Sequence, residues 1–367
     1  MLAVRAGISH DVDSLLTRNL EMRACLLLIA IALVTPGALA AESPQHGISA
    51  KPIDRSPPRY PAHELRRNQQ GWVVLNYVVT DDGRVVEPVI EESSGSPAFE
   101  RAAIQTVEDW RYEPALLNGE PVQQCKTKVR IAFAIRGSQD KVSRPFYARY
   151  RTIEQTLNEG DIETASAALE SAFESEGLTL AEMSWLWALR ARIAGMQGDT
   201  EQQLSALRRA MAGSPEWTPE ELRVGLLTTL TALELEAGDF SAAMQSYAAL
   251  QSIDSADTST LDPFIAQISS LVESEELFFA EARIGGNPNC ETCESQWQYQ
   301  PLRRAIEIAD IDGELGNLEL RCEWQRFVDE AREGVTWNIP ESWGDCSLVV
   351  HGETGSTFKL FEIPATT

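Results

Sequence analysis

The sequence predicts an α+β chain of several domains: a small αβ domain with an antiparallel sheet, an α-helical repeat middle, and a C-terminal β-rich domain. Three observations predict it. Residues 71–92 are rich in aromatic and β-branched residues on either side of an Asp81-Asp82-Gly83 turn, which reads as a hairpin of strands. Three Gly-Asp pairs recur with spacings of 38 and 40 residues, each closing one amphipathic segment and opening another. Beyond residue 277, short alternating apolar runs replace helical spacing.

Length and charge set the limits. With 367 residues, 43% of them hydrophobic, the chain can bury ordinary cores in two or three domains. The net charge of −24 argues against a surface that tracks nucleic-acid phosphates, which needs clustered Lys and Arg. Residues 41–137 hold 12 basic and 13 acidic groups, whereas residues 138–367 hold 16 and 39. The N-terminal domain is therefore nearly neutral and the remainder is a polyanion. That charge serves solubility, or forms an acidic face for a basic partner.

The first 40 residues predict export. Arg23 precedes an unbroken apolar run at residues 26–34; Pro36-Gly37 ends it and Ala38-Leu39-Ala40 follows. This order of basic, apolar and small-x-small residues is that of a signal peptide cleaved after Ala40. The run is short for a bilayer core, which takes about 20 apolar residues. Met22 stands just before Arg23, so the signal comprises residues 22–40 if Met22 is the start. The expected location is the periplasm. The alternative is a retained anchor, with a single pass through the inner membrane and periplasmic domains. Membrane contact is expected only in that case.

Within residues 50–137, residues 71–80 form a strand, Gly83 supplies the positive φ of the turn, and residues 84–92 return. One serine of Ser93-Ser94-Gly95-Ser96 caps a helix that Pro97 opens. Phe99, Ala102, Ala103, Val107 and Trp110 recur at helical spacing. Asn118-Gly119 is a second turn. Residues 122–135 then end in Val129, Ile131, Phe133 and Ile135, alternating with Lys128, Arg130 and Ala132. That is a half-buried strand with its second face toward solvent.

These residues resemble a known family. Pro58-Arg59-Tyr60-Pro61, Gly71-Trp72-Val73, Asp82-Gly83-Arg84-Val85, Ser93-Ser94-Gly95, Phe99-Glu100-Arg101-Ala102-Ala103, Trp110-Arg111-Tyr112-Glu113-Pro114-Ala115 and Asn118-Gly119-Glu120-Pro121-Val122 follow the order of the TonB C-terminal domain. The resemblance implies a periplasmic module that couples inner-membrane energy to outer-membrane receptors. It implies recognition of a short extended receptor segment, added as a strand beside the last strand. Here that edge is Lys128, Val129, Arg130, Ile131, Ala132, Phe133, Ala134 and Ile135. An open edge offers unpaired N–H and C=O groups, so the recognition is by backbone. The expected partners are proteins of the cell envelope such as outer-membrane receptors. Three features depart from a full transducer. The apolar run holds no His or Ser, only about ten residues separate the cleavage site from the domain, and some 230 residues follow it. A periplasmic protein-binding scaffold is the first reading, a membrane-anchored energy transducer the alternative, and a thiol-redox or zinc protein built on the C-terminal cysteines a further one.

Residues 144–275 are helical. After Gly160-Asp161, Gly198-Asp199 and Gly238-Asp239, the residues Ile162, Thr200 and Phe240 align. So do Leu169, Leu207 and Tyr247, then Ala172, Ala210 and Leu250. Gly ends one helix in the left-handed conformation and Asp caps the next. The pattern resembles tetratricopeptide repeats with longer helices. Such an array offers a surface to a peptide or protein, or serves as a spacer. Trp185 and Trp187 read as core.

From residue 277 to 367 the chain reads as a small antiparallel sheet or sandwich. Residues 305–311 and 318–324 alternate about Asp312-Gly313-Glu314-Leu315-Gly316-Asn317 and predict a hairpin. Residues 346–350 and 358–363 are further strands. Five cysteines remain after export: Cys125, Cys290, Cys293, Cys322 and Cys346. In an oxidising compartment they favour disulfides, with Cys322 to Cys346 as a cross-strand bridge and Cys125 left over. Cys290-Glu291-Thr292-Cys293 also fits half a zinc site or a redox pair. A zinc site lacks its second Cys-x-x-Cys, and Glu291 and Glu294 oppose a thiolate. His46, His63 and His351 are isolated, and no phosphate-binding glycine loop, His-Glu-x-x-His or nucleophile elbow is present. The sequence thus predicts no catalytic residue, no metal and no cofactor.

Overall fold

The computed structural model describes residues 47–135, 142–212, 218–285 and 295–364. His46–Thr367 form one compact unit. Cys290 and Cys293, and the expected signal peptide at residues 1–40, lie outside the described residues.

The first part comprises β1 (Gly47–Ile48), β2 (Lys51–Asp54), α1 (Ala62–Arg66), β3 (Gly71–Val79), β4 (Val85–Ser93), α2 (Pro97–Glu108), β5 (Arg111–Glu113), β6 (Ala115–Leu117), β7 (Glu120–Val122) and β8 (Gln124–Phe133). The principal sheet has the order β4-β3-β8 and is antiparallel throughout. Strand β3 is long because its β-branched and aromatic residues fit a pleated surface, and Gly83 turns the chain back at φ +80°. A side chain at Gly83 would strike the Tyr112 carbonyl, and Tyr112 N–H donates to Gly83 O at 2.9 Å. On one face, Phe99, Ala103 and Val107 of α2 close over Val73, Leu75, Tyr77, Ile131 and Phe133. Phe99 stacks on Phe133 with ring centres 4.5 Å apart. Ser96 stands at the N-cap of α2 but its side chain makes no cap bond. Ser93 is drawn inward instead, accepting from Gly95 N–H at 3.0 Å and donating to the buried Glu100 carboxylate at 2.5 Å.

Seven helices follow among the described residues: α3 (Arg144–Asn158), α4 (Ile162–Phe173), α5 (Leu180–Gln197), α6 (Thr200–Ala212), α7 (Glu220–Ala237), α8 (Phe240–Gln251) and α9 (Asp262–Glu273). The Gly-Asp pairs fall at the turns within α3/α4, α5/α6 and α7/α8. Gly160, Gly198 and Gly238 take φ of +86°, +73° and +74°. Asp161, Asp199 and Asp239 accept from the N–H of Thr164, Gln202 and Ala242 at 3.0, 2.9 and 3.2 Å. Each cap satisfies a donor that a helix start otherwise leaves unmet, contributing about 1 kcal/mol. The aligned positions Leu169, Leu207, Tyr247, Ala172, Ala210 and Leu250 are all buried. Two of the three aligned triples are thus buried between helices, whereas Ile162, Thr200 and Phe240 of the first are exposed or half-buried. Shortening Leu207 to Ala there would cost roughly 2–5 kcal/mol.

The last part is a sandwich of β9 (Phe278–Arg283), β10 (Gln296–Tyr299), β11 (Ala305–Asp312), β12 (Leu315–Cys322), β13 (Arg326–Glu330), β14 (Thr336–Asn338), β15 (Cys346–Gly352) and β16 (Thr357–Ile363). Its sheets have the orders β10-β15-β12-β13 and β14-β11-β16-β9. Ile306, Ile308, Leu318, Leu320, Leu348, Val350, Phe358 and Leu360 fill the space between them. The expected hairpin of residues 305–311 with 318–324 is not formed. Strand β11 pairs with β14 and β16, whereas β12 pairs with β13 and β15. Alternation marks each strand and its inward face, but it does not choose the partner. The link at Gly313 (φ +107°) instead crosses between the sheets, held by Glu314 N–H donating to Ser356 Oγ at 3.0 Å. Cys322 lies opposite Cys346 across β12 and β15, and the two form a disulfide. Cys125 is buried and unpaired.

A second correction concerns the far face of the β4-β3-β8 sheet, expected toward solvent. All nine residues of β3 are buried. Trp72 and Val74 pack on Leu180 and Ala181 of α5. Further along, Arg321 of β12 donates to Glu87 O at 2.9 Å. Residues 71–79 carry apolar side chains on both parities, the pattern of a strand covered on two faces. The cleaner alternation of residues 128–135 pointed the other way.

Candidate functional site

Strand β8 forms one side of the sheet, and among the described residues β3 is its single strand partner. Its orientation follows from β3. Trp72 O accepts from Ser94 N–H on the β4 side at 2.9 Å. Backbone groups alternate along a strand, so Gly71, Val73 and Leu75 turn toward β8. They stand opposite Phe133, Ile131 and Val129. The N–H and C=O of Lys128, Arg130 and Ala132 therefore point away from β3.

The eight predicted edge residues are placed in one continuous segment, but not in one environment. Ile131 and Phe133 are buried and Val129 packs against the same core. Ala132 and Ala134 rest on the Trp72–Leu180 contact. Arg130 Nη1 donates to Ala212 O of α6 at 3.5 Å. Lys128 is exposed and pairs with Glu91 at 2.5 Å. The strand itself ends at Phe133, so Ala134 and Ile135 lie past it, and Ile135 N–H donates to Gln70 Oε1 at 3.4 Å. Tyr60 closes this end, its hydroxyl donating to Gln69 O at 2.5 Å and its ring edge-on to Phe133.

On the opposite edge of the sheet, two carbonyls are bonded by side chains. Ile90 O of β4 accepts from Gln296 Nε2 at 3.3 Å and Gln298 Nε2 at 2.9 Å, both from β10, and Glu87 O accepts from Arg321. Sequence reasoning missed these residues. Gln296 and Gln298 lie more than 200 positions from Ile90, and no local pattern announces such a contact.

Charge is concentrated where the sheet meets its neighbours. Burial pushes the Glu92 carboxyl up to about 7, against the opposing pull of Arg209, Arg208 and Lys128. Arg209, 3.9 Å away and lying over the Trp187 ring, is itself lowered by burial to about 10. Burial also opposes ionisation of Glu319, but hydrogen bonds from His351, Arg321 and Arg326 prevail and hold it at about 2. Among the described residues no group of three or more His, Cys, Asp or Glu is placed to hold a metal ion.

The result is a three-stranded antiparallel sheet backed by a helix, with β4 carbonyls on one edge bonded by remote side chains and β8 as the other outer strand. Residues 56–135 match the family described as Gram-negative bacterial TonB protein C-terminal, and the chain carries a domain of that family. TonB of Pseudomonas aeruginosa is 32% identical over 106 residues, covering 26% of this chain and 31% of that protein. TonB of Escherichia coli K12 is 33% identical over 88 residues, covering 24% and 34%. The chain spans about a third of the length of the curated relatives it matches. The solution structure of the P. aeruginosa TonB C-terminal domain is 30% identical, covers 24% of this chain and 88% of that one, and gives a TM-score of 0.21.

Proposed function

We propose that this chain is a periplasmic protein-binding scaffold linked to TonB-dependent outer-membrane transport, and that it takes an extended segment of an envelope protein along the outer edge of β8. The observation that carries this reading is the asymmetry of the sheet. The outer carbonyls of Glu87 and Ile90 on β4 are occupied by Gln296, Gln298 and Arg321, whereas the Lys128 and Ala132 backbones point away from the sheet. A segment added there gains a ladder of main-chain hydrogen bonds, largely independent of side-chain identity. The helical array, resembling tetratricopeptide repeats, and the sandwich hold the sheet from behind. Among the described residues no helix is long and apolar enough to cross a membrane.

The test uses a labelled peptide from the periplasmic start of an outer-membrane receptor. Lys128→Pro removes one outward N–H on the solvent side, where an edge strand tolerates proline. Binding should be lost while Lys128→Ala keeps it, with both variants folded. Equal binding by Lys128→Pro would overturn strand addition at β8. Intact mass with fractionation separates scaffold from transducer. A chain starting at Ala41 in the soluble periplasm supports the scaffold, whereas a chain retaining residues 26–34 in the inner membrane supports the transducer.

A further inference from the structure

Helices α3 and α5 carry an aromatic patch that is partly exposed. Tyr147 of α3 is 46% exposed. Its ring centre lies 6.2 Å from Trp185 of α5, and that of Tyr150 lies 4.9 Å from the same indole, both edge-on. The indole N–H of Trp185 is covered and has no hydrogen-bond partner. A buried donor left unmet in a native fold calls for an explanation, and an acceptor brought by a partner would supply one.

Arginines border this aromatic group. Burial raises the pKa of the Tyr150 hydroxyl, as do Glu154 and Tyr147, while Arg192 and Arg151 pull it down. Arg144 precedes Tyr147 by one helical turn on the same face. Arg192 donates to Asn158 Oδ1 at 2.6 Å, and Arg151 stands 3.8 Å from Glu154. A guanidinium has five donors, so each contact leaves others turned to water. The contrast with the rest of the chain is sharp. Helix α3 holds three arginines and one glutamate, inside a region of 16 basic and 39 acidic groups. Aromatic anchors ringed by arginine are the composition of interface hot spots.

We propose that this face of α3 and α5, with Tyr147, Tyr150 and Trp185 at its centre and Arg144, Arg151 and Arg192 around it, docks an acidic peptide segment of another protein. Its carboxylates pair with the guanidinium forks. Its apolar side chains lie against the rings, and a peptide carbonyl supplies the acceptor that the covered Trp185 N–H lacks. The acidic body of the chain repels acidic segments elsewhere, which confines them to this patch. The proposal does not rest on strand addition at β8.

The test is fluorescence anisotropy with the full chain and a fluorescein-labelled decapeptide of alternating Glu and Leu, its Lys-for-Glu counterpart serving as control. The Glu peptide should bind, the Lys peptide should not, and added salt should weaken binding. Arg151→Glu combined with Arg192→Glu should weaken it about a hundredfold. Incorporating β-(3-benzothienyl)alanine in place of Trp185 keeps the bicyclic ring and exchanges the N–H donor for sulfur. It should weaken binding about five- to tenfold without lowering the thermal midpoint, an outcome a purely packing role would not give. Lys128→Pro should leave this binding unchanged. Absence of Glu-peptide binding, equal binding of the Lys peptide, or indifference to the double Arg change would overturn the proposal. So would sedimentation showing that the chain dimerises through this face and loses that dimer in the double variant.

Discussion

Arg303 joins the helices to the sandwich, and replacing it with Met should loosen both. The residue is buried, and its guanidinium is fully engaged. Nε donates to Val272 O at 3.1 Å. Nη1 donates to Glu276 O at 2.7 Å and Glu362 O at 2.9 Å. Nη2 donates to Leu271 O at 2.6 Å and Ser274 O at 2.9 Å. Leu271 and Val272 belong to the last turn of α9, where Leu271 O also accepts from Ser274 N–H at 3.1 Å and Ser274 Oγ at 2.8 Å. Met fills much of the same volume, lying like Arg over the Phe278 ring, but it donates to none of the five oxygens. A hydrogen bond from a charged donor contributes roughly 1.5–3 kcal/mol net. Water can reach some of the freed carbonyls, and Met recovers some burial, so the expected loss is about 3–5 kcal/mol. That is a large part of a stability of about 5–15 kcal/mol. Urea unfolding of the full chain measures it. Amide exchange locates it, with faster exchange expected at the end of α9 and along β16 and little change in β3. Arg303→Lys should lose nearly as much, because an ammonium has three donors around a point and cannot fork. A loss below about 1 kcal/mol, or exchange that rises evenly everywhere, would refute the reasoning.

Three further outcomes are expected. Glu92, raised to about 7 in the fold, binds its proton more tightly folded than unfolded. Its contribution is fully present below the ordinary carboxylate range and is lost as pH rises through 7, with a slope of up to about 1.4 kcal/mol per pH unit; Glu92→Gln should flatten the stability profile between pH 5 and 8. Removing the Cys322–Cys346 bridge, which closes a separation of 24 residues, should cost about 3 kcal/mol, read as a lower urea midpoint for Cys322→Ala with Cys346→Ala. Cys125, buried and with its thiol pushed up to about 12 by that burial, should resist iodoacetamide in the native protein and react once the chain is unfolded.

Much of this protein was legible in sequence because its signals are local. Gly83 demanded a tight turn, Pro97 opened a helix, and the Gly-Asp pairs stopped and restarted helices, since φ preference and capping act within a few residues. The aligned Leu169, Leu207 and Tyr247 were legible as a shared buried stripe for the same reason. The ordered motifs of residues 58–122 pointed to the domain that residues 56–135 match, and Cys322 to Cys346 was read as a cross-strand bridge.

What only the tertiary structure decided was which elements meet. Alternation at residues 305–324 specified two strands and their inward faces, yet β11 and β12 went to opposite sheets. The free energy of a strand pair depends on the whole sandwich closing, and no four-residue turn encodes that. The far face of the N-terminal sheet was assigned to water until Leu180, Ala181 and Arg321 were seen to cover it. The candidate edge shows the division most clearly. Sequence placed Lys128, Arg130 and Ala132 on a last strand, but that Gln296, Gln298 and Arg321 occupy carbonyls of β4 on the other edge is seen only in the fold. These side chains, remote in sequence, reach the β4 carbonyls because folding brings them there, and a buried carbonyl must have a donor.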